Sequence, residues 1–136
     1  MKEKFTSMKR PSTDVWLTEA KSDPAAEKCG MYLFHNGVVR ATSRKSVREG
    51  FADAPDAVGM DFSYDAAKVR AAVEETKKMP GIYYVRVWLN SGRLNVGDDI
   101  MLVLVGGDIR PNVVDALQYL VGRLKSECVG ETEIHS

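Results

Sequence analysis

Residues 100–128 read "IMLVLVGGDIRPNVVDALQYLVGRLKSEC". The run 100–105 is apolar throughout, without the alternation of a strand that shows one face to water. Such a run is expected of a central strand covered on both faces. Gly106-Gly107 ends it, and Pro111 suits the first position of a helix, where its missing N–H would have no partner. From there Val113, Val114, Leu117, Leu120, Val121 and Leu124 recur at helical spacing and form one apolar stripe. A buried strand, a tight turn and an amphipathic helix are therefore the unit around which the core is built.

Upstream, "KFTS" at 4–7 reads as a short strand. "PSTDVWLTEAKS" (11–22) reads as a helix capped by Ser12 or Thr13 and ended by Asp23-Pro24. "MYLFHNGVVRA" (31–41) is strand-like, with Gly37 marking a bulge or kink. Residues 42–58 lack any apolar period and carry Gly50 and Pro55, so a long mobile loop is expected there. "GMDFSY" (59–64) reads as a strand. "DAAKVRAAVEETKKM" (65–79) is an amphipathic helix begun by Asp65, with Ala66, Val69, Ala72 and Val73 on one face. "IYYVRVWLNS" (82–91) alternates as a half-buried strand does, "GRLNVGDD" (92–99) reads as a connection, and 129–136 as a short polar tail. The order implies one α+β domain spanning 1–136, with a mixed, largely antiparallel sheet and helices on one side.

A chain of 136 residues can bury one real core. Its 19 Lys plus Arg balance 19 Asp plus Glu, which argues against a general binder of nucleic acid or membrane surfaces. Cys29 and Cys128 follow no metal or redox spacing, and the N-terminal segment lacks the apolar core of a signal peptide. A cytoplasmic protein with reduced thiols is the simplest expectation. A nucleophilic role for Cys128 would need a base, for which His135 is the nearest histidine in sequence. A small hydrophobe at the core edge is the plainer reading.

No GxSxG, phosphate-binding P-loop, GxGxxG after a strand, or HExxH occurs. With His35 and His135 the only histidines, a histidine-rich metal site or a Ser-His-Asp triad is not expected, and no cofactor is implied. Asp98, Asp99 and Asp108 read as turn residues beside the buried strand. The basic residues are more suggestive. Arg40, Arg44, Lys45 and Arg48 cluster at and after one strand end. Arg110 stands at a helix N-terminus, where free N–H groups favour an anion. Lys125 borders the apolar stripe of the same helix. A rise of about 1.5 Å per residue puts Arg110 and Lys125 roughly 20 Å apart, so they can share one site only if a second subunit completes it.

Taken together, "NGVVRA", "GRLNVGDDIMLVLVGGDIR" and "ALQYLVGRLK" resemble the large, catalytic subunit of molybdopterin synthase. Gly37, Val39 and Arg40 match one family element, and Gly92, Leu94, Gly97 and Asp98 a second. Arg110 matches the arginine of a His-Arg pair and Lys125 a helix lysine. The similarity spans about residues 12–128. It implies a fold of α/β hammerhead type and a homodimer. Each end of that dimer would bind a small ubiquitin-like sulfur carrier with a C-terminal Gly-Gly, giving a heterotetramer. The implied activity is a sulfurtransferase of molybdenum cofactor biosynthesis, which moves sulfur from the thiocarboxylated carrier to cyclic pyranopterin monophosphate to form a dithiolene. Arg40 and Arg110 of facing subunits would hold the substrate phosphate, with Arg44 and Lys45 nearby, and Lys125 would be catalytic. This sequence departs from the family at His35, Ile109, Leu89-Asn90 and Thr132, the last standing where a second catalytic lysine is expected. The resemblance is therefore also compatible with a non-catalytic relative that binds a carrier tail or a phosphate-bearing pterin.

Overall fold

The computed structural model describes residues 8–42 and 56–135. Helix α1 (Thr13–Lys21) starts where Ser12 Oγ accepts from Val15 N at 3.2 Å. Strands β1 (Met31–Val38) and β2 (Gly59–Tyr64) follow, then helix α2 (Ala66–Lys77). Asp65 begins α2 by accepting from Ala67 N and Lys68 N at 3.0 and 3.1 Å. A cap of this kind is worth about 1 kcal/mol because it satisfies donors that the first turn leaves without partners. Strands β3 (Ile82–Leu89), β4 (Gly92–Asn95) and β5 (Asp99–Gly107) come next, then helix α3 (Arg110–Arg123), a π-helical turn (Leu124–Cys128) and β6 (Val129–Ile134).

Two antiparallel three-stranded sheets result, ordered β1-β5-β3 and β4-β2-β6. The α+β class with antiparallel sheets is the one expected. Strand β5 is the centre of the molecule: Met101, Leu102, Val103, Leu104 and Val105 are each 0% exposed. Its alternate residues serve two clusters, as the period of two demands. Leu102 and Leu104 pack with Trp16 and Ala20 of α1, flanked by Tyr32, Phe34, Tyr84 and Trp88. Met101, Val103 and Val105 pack with Val113, Ala116, Leu120 and Leu124 of α3 and its following turn, and with Ala72 of α2. The helices are thus divided, with α1 on the opposite face from α2 and α3 rather than all on one side. Arg86 of β3 fastens α1, its guanidinium 4.4 Å from the Trp16 ring centroid and Nη1 2.6 Å from Glu19 Oε1.

Three readings of the sequence change. The connection at 92–99 contains strand β4, recruited because Leu94 is completely buried opposite Met60. Four residues with a single apolar side chain carry too weak a pattern to announce a strand. The polar tail is largely β6, which pairs with β2 along its whole length. Its alternation was hidden because its inward side chains include Glu131 and Glu133. The third concerns Asn90, which the sequence placed on an alternating strand face. It is fully buried, accepts from Met8 N and Ser91 N, and donates to Met8 O and Asp99 O. All its hydrogen-bonding capacity goes to the backbone, so it fastens the segment before α1 to the sheet.

The expected first strand at 4–7 lies outside the described residues, as does 43–55, most of the expected mobile loop. The ends of that loop are tied: Ala57 N donates to Ala41 O, and Val58 N to Ile134 O, each at 2.7 Å. Gly37 does mark an irregularity, since the β1–β5 register shifts between Gly37 and Val38.

Candidate functional site

An open pocket of ≈ 220 Å³ lies where the end of β1, the π-helical turn, β6 and β2 meet. His35, Arg40, Lys125, Glu131 and Glu133 are its ionisable lining residues, over a floor that includes Gly37, Met60 and Met101.

Arg40 is placed by the turn before β5. Val39 N donates to Asp98 O at 3.0 Å, and Gly97 N donates to Val39 O at 2.8 Å. Gly97 has φ +95°, a left-handed conformation in which a side chain would be strained. Asp98 closes the same turn by accepting from Asn95 N at 2.7 Å. The glycine and aspartate of this motif therefore pin the strand end that carries Arg40, whose Nε donates to Thr42 O at 3.0 Å.

Lys125 reaches the pocket because the last turn of the helical segment is wound as a π-helix over Leu124–Cys128. Leu124 stays buried at 0% exposure while Lys125 is exposed beside the cavity. Strand β6 then turns alternate residues inward: Glu131 and Glu133 line the pocket, whereas Thr132 lines a separate groove with Asp61, Phe62 and Arg93. The position expected to hold a second lysine therefore faces away from Lys125.

His35 stands two residues before Gly37 on the same strand face. Its Nε2 is buried and has no hydrogen-bond partner among the described residues. Burial, and secondarily the positive charge of Lys125, hold its pKa below the ordinary imidazole value. The ring is therefore neutral at pH 7. A side chain at Gly37 would bring its Cβ within 3.1 Å of Met101 Cγ and 3.6 Å of His35 Nε2, so the glycine keeps the floor open.

Arg40 and Lys125, far apart in sequence, are brought together. Arg110 is not: it is exposed at the start of α3, at the end of that helix remote from the pocket. A carboxylate of the chain, that of Asp108, stands beside this helix start. Asp108 Oδ1 accepts from Ile109 N at 2.6 Å and from Asn112 Nδ2 at 2.9 Å. Those bonds, with Asn112 contributing most, lower the Asp108 pKa. Arg44 and Lys45 lie outside the described residues. Cys128 is 3% exposed in the core, and burial pushes its thiol pKa up, away from a reactive thiolate. His135 does not serve it: Nδ1 lies 3.0 Å from Asp56 O and Nε2 3.8 Å from Glu133 Oε1.

Sequence reasoning missed His35, Glu131 and Glu133 as pocket residues. A signal existed for each. His35 and Gly37 share a strand face, and "ETE" alternates about a threonine once that segment is read as a strand. Among the described residues no group of three or more His, Cys, Asp or Glu is placed to hold a metal ion, and no helix is long and apolar enough to cross a membrane.

The family described as "MoaE protein" matches residues 12–127. No curated protein matches the sequence. Among solved structures, molybdopterin synthase from Staphylococcus aureus is similar with a TM-score of 0.65 at 19% identity, over 81% of this chain and 77% of that one. A molybdopterin biosynthesis MoaE protein from Burkholderia ambifaria gives 0.68 at 15% identity, over 94% and 85%. The complex of subunits 1 and 2 of molybdopterin-converting factor from Helicobacter pylori gives 0.61 at 15% identity, over 95% and 87%. At such identities these likenesses establish the fold.

Proposed function

Because the chain belongs to the MoaE protein family, we propose that it works in molybdenum cofactor biosynthesis as the large subunit of a molybdopterin synthase. In this reading it is a cytoplasmic sulfurtransferase that forms a homodimer and takes a small carrier subunit at each end. The carrier's thiocarboxylated Gly-Gly tail delivers sulfur to cyclic pyranopterin monophosphate, and two such transfers build the dithiolene. A pairing of two subunits is also named for the Helicobacter pylori complex.

The observation that carries this reading is the convergence of Arg40 and Lys125, from separate elements, on one pocket. Arg40 suits one edge of a phosphate, since a planar guanidinium can bond two oxygens at once. Arg44 and Lys45 follow it in the chain and add positive charge. Lys125, on a flexible stem, brings an ammonium to the carrier's carbonyl carbon. Once the carrier's sulfur is bonded to the pterin, water adds to the acyl carbon and Lys125 stabilises the oxyanion so formed. Its collapse breaks the acyl–sulfur bond, leaving sulfur on the pterin with a proton from Lys125 and the carrier as a carboxylate. Arg110 of the partner subunit completes the phosphate site. A volume of ≈ 220 Å³ is below the roughly 300–1,000 Å³ of ordinary ligand pockets, which agrees with a site that a second subunit completes.

A second reading, a relative that binds without turnover, is favoured by one observation. Among the described residues Lys125 is the only lysine lining the pocket, and β6 supplies Glu131 and Glu133 instead of another. Reconstitution separates the two readings. The protein is mixed with a thiocarboxylated carrier and the cyclic pterin monophosphate, and dithiolene product is measured. Product formation is expected. Binding of both reactants with no product would replace the first reading by the second.

A further inference from the structure

Three pocket groups, His35, Glu131 and Glu133, have no task in the proposed reaction. His35 presents a buried Nε2 with no partner among the described residues, beside a flexible lysine in the same cavity. A buried ring nitrogen without a partner is costly, and structures rarely keep one without a use. In the tautomer protonated on Nδ1 it is an acceptor that needs a donor. The groups facing it narrow the choice of donor. Glu131 and Glu133 of β6 are carboxylates and, when ionised, only accept. Strand β5 lines the pocket with Ile100 and Met101, and β2 with Gly59 and Met60, none of which carries a side-chain donor. Arg40 directs its Nε to Thr42 O. Lys125 remains, exposed and on a stem of four methylenes. Gly37 leaves room beside Nε2, where its absent Cβ would lie 3.6 Å away.

We infer that His35 is a positioning residue for Lys125: its Nε2 accepts a hydrogen bond from the Lys125 ammonium when that side chain turns into the pocket, which sets where Nζ stands. The imidazole tautomer with its proton on Nδ1 serves this role. Protonation of His35 removes the acceptor and places a second cation beside the lysine, so the arrangement is released in acid. Glu131 and Glu133 temper that repulsion, and Arg40 adds to it. Burial and the charge of Lys125 hold the imidazole neutral at pH 7, consistent with the acceptor role. The use made of the positioned lysine rests on the sulfur-transfer reading, but the pairing itself does not.

Nuclear magnetic resonance tests the pairing without turnover. The His35 ring is titrated in the native protein and in Lys125→Gln. The Lys125 Nζ–H signal is followed at low temperature, near pH 6, in the native protein, His35→Phe and His35→Gln. Removing the lysine charge is expected to raise the His35 midpoint by about half a pH unit or more, the size of a single charge acting through a partly wet pocket. A slowly exchanging Nζ–H signal is expected in the native protein and in His35→Gln, whose amide oxygen can accept, and is expected to vanish in His35→Phe. An unmoved His35 midpoint, or an Nζ–H signal equally protected in His35→Phe, overturns the inference. If His35→Phe fails to fold, the midpoint in Lys125→Gln decides alone, since that change falls on an exposed side chain. Neither measurement uses the carrier or the pterin, so a failed reconstitution and a failed pairing are distinguishable.

Discussion

The two ends of helix α3 are built on opposite terms. At its start, Gly81, Gly107, Asp108 and Asn112 interlock. Gly81 has φ +76°, a Cβ there would lie 2.3 Å from Asp108 Oδ1, and Asp108 N donates to Gly81 O at 2.9 Å. Asp108 finds its partners at this end within the chain, accepting from Ile109 N and Asn112 Nδ2. Past its other end, the π-helical turn and β6 leave a cavity ringed by Arg40, Lys125, Glu131 and Glu133, with a buried nitrogen of His35 lacking a partner among the described residues. A helix N-terminus draws anions only to the extent that its own chain leaves donors free. At the end that looked most like an anion site in sequence, Asp108 places a carboxylate beside the helix start.

The strongest way to break this contrast is to remove the lysine. Lys125→Ala is expected to lower dithiolene formation by about 10²-fold or more in the reconstituted reaction. Its denaturation midpoint should stay within about 0.5 kcal/mol of the native value, because the side chain is exposed. An unchanged rate would remove Lys125 from the site. At the closed end the effect falls on stability instead. Gly81→Ala should cost about 1–3 kcal/mol in urea denaturation, through a strained φ and the displacement of Asp108 and Asn112. A loss below about 0.5 kcal/mol would show that this end is not rigid.

Acid sharpens the contrast, because the two ends carry titrating groups of opposite kind. The lowered pKa of His35 means that the unfolded chain binds a proton more readily than the folded one. Stability from this group is full above about pH 6.5 and is lost as pH falls from there through the folded value. The melting temperature should therefore drop more between pH 7 and pH 5 in the native protein than in His35→Phe. Parallel curves would refute that assignment. The smallest effect is expected from Asp108→Asn, which keeps an acceptor for Ile109 N–H and loses the charge. The lowered Asp108 pKa gives stability above the ordinary aspartate range that disappears as pH falls through the folded value. The variant should melt slightly below the native protein at pH 7, and the two should converge under strong acid.

Much of the architecture was legible because it is written locally. The apolar run of β5, the caps at Ser12 and Asp65 and the stripe of α3 each state their structure within a dozen residues, and the observed elements follow them closely. The stripe needed one adjustment, with Ala116 joining Val113 and Leu120 as the fully buried positions of α3. Strands β4 and β6 were not legible. One has a single buried apolar residue and the other points carboxylates inward, so neither shows the alternation that burial usually imposes. Of the candidate site, Arg40 and Lys125 were visible as residue types in a family pattern. His35 was visible as a departure from that pattern, and Glu131 and Glu133 only through an alternation that shows once their segment is read as a strand.

The sequence by itself determined the elements that short-range periodicity and capping specify, and the order in which the basic residues occur. The separation of Arg110 from Lys125 followed from helix rise, but only the tertiary structure decided which basic residues share a pocket and which face of β6 meets Lys125. The reason is that convergence depends on strand pairing and register between distant segments. A shift of one residue in β6 would turn Glu131 and Glu133 out and Thr132 in without altering any local propensity.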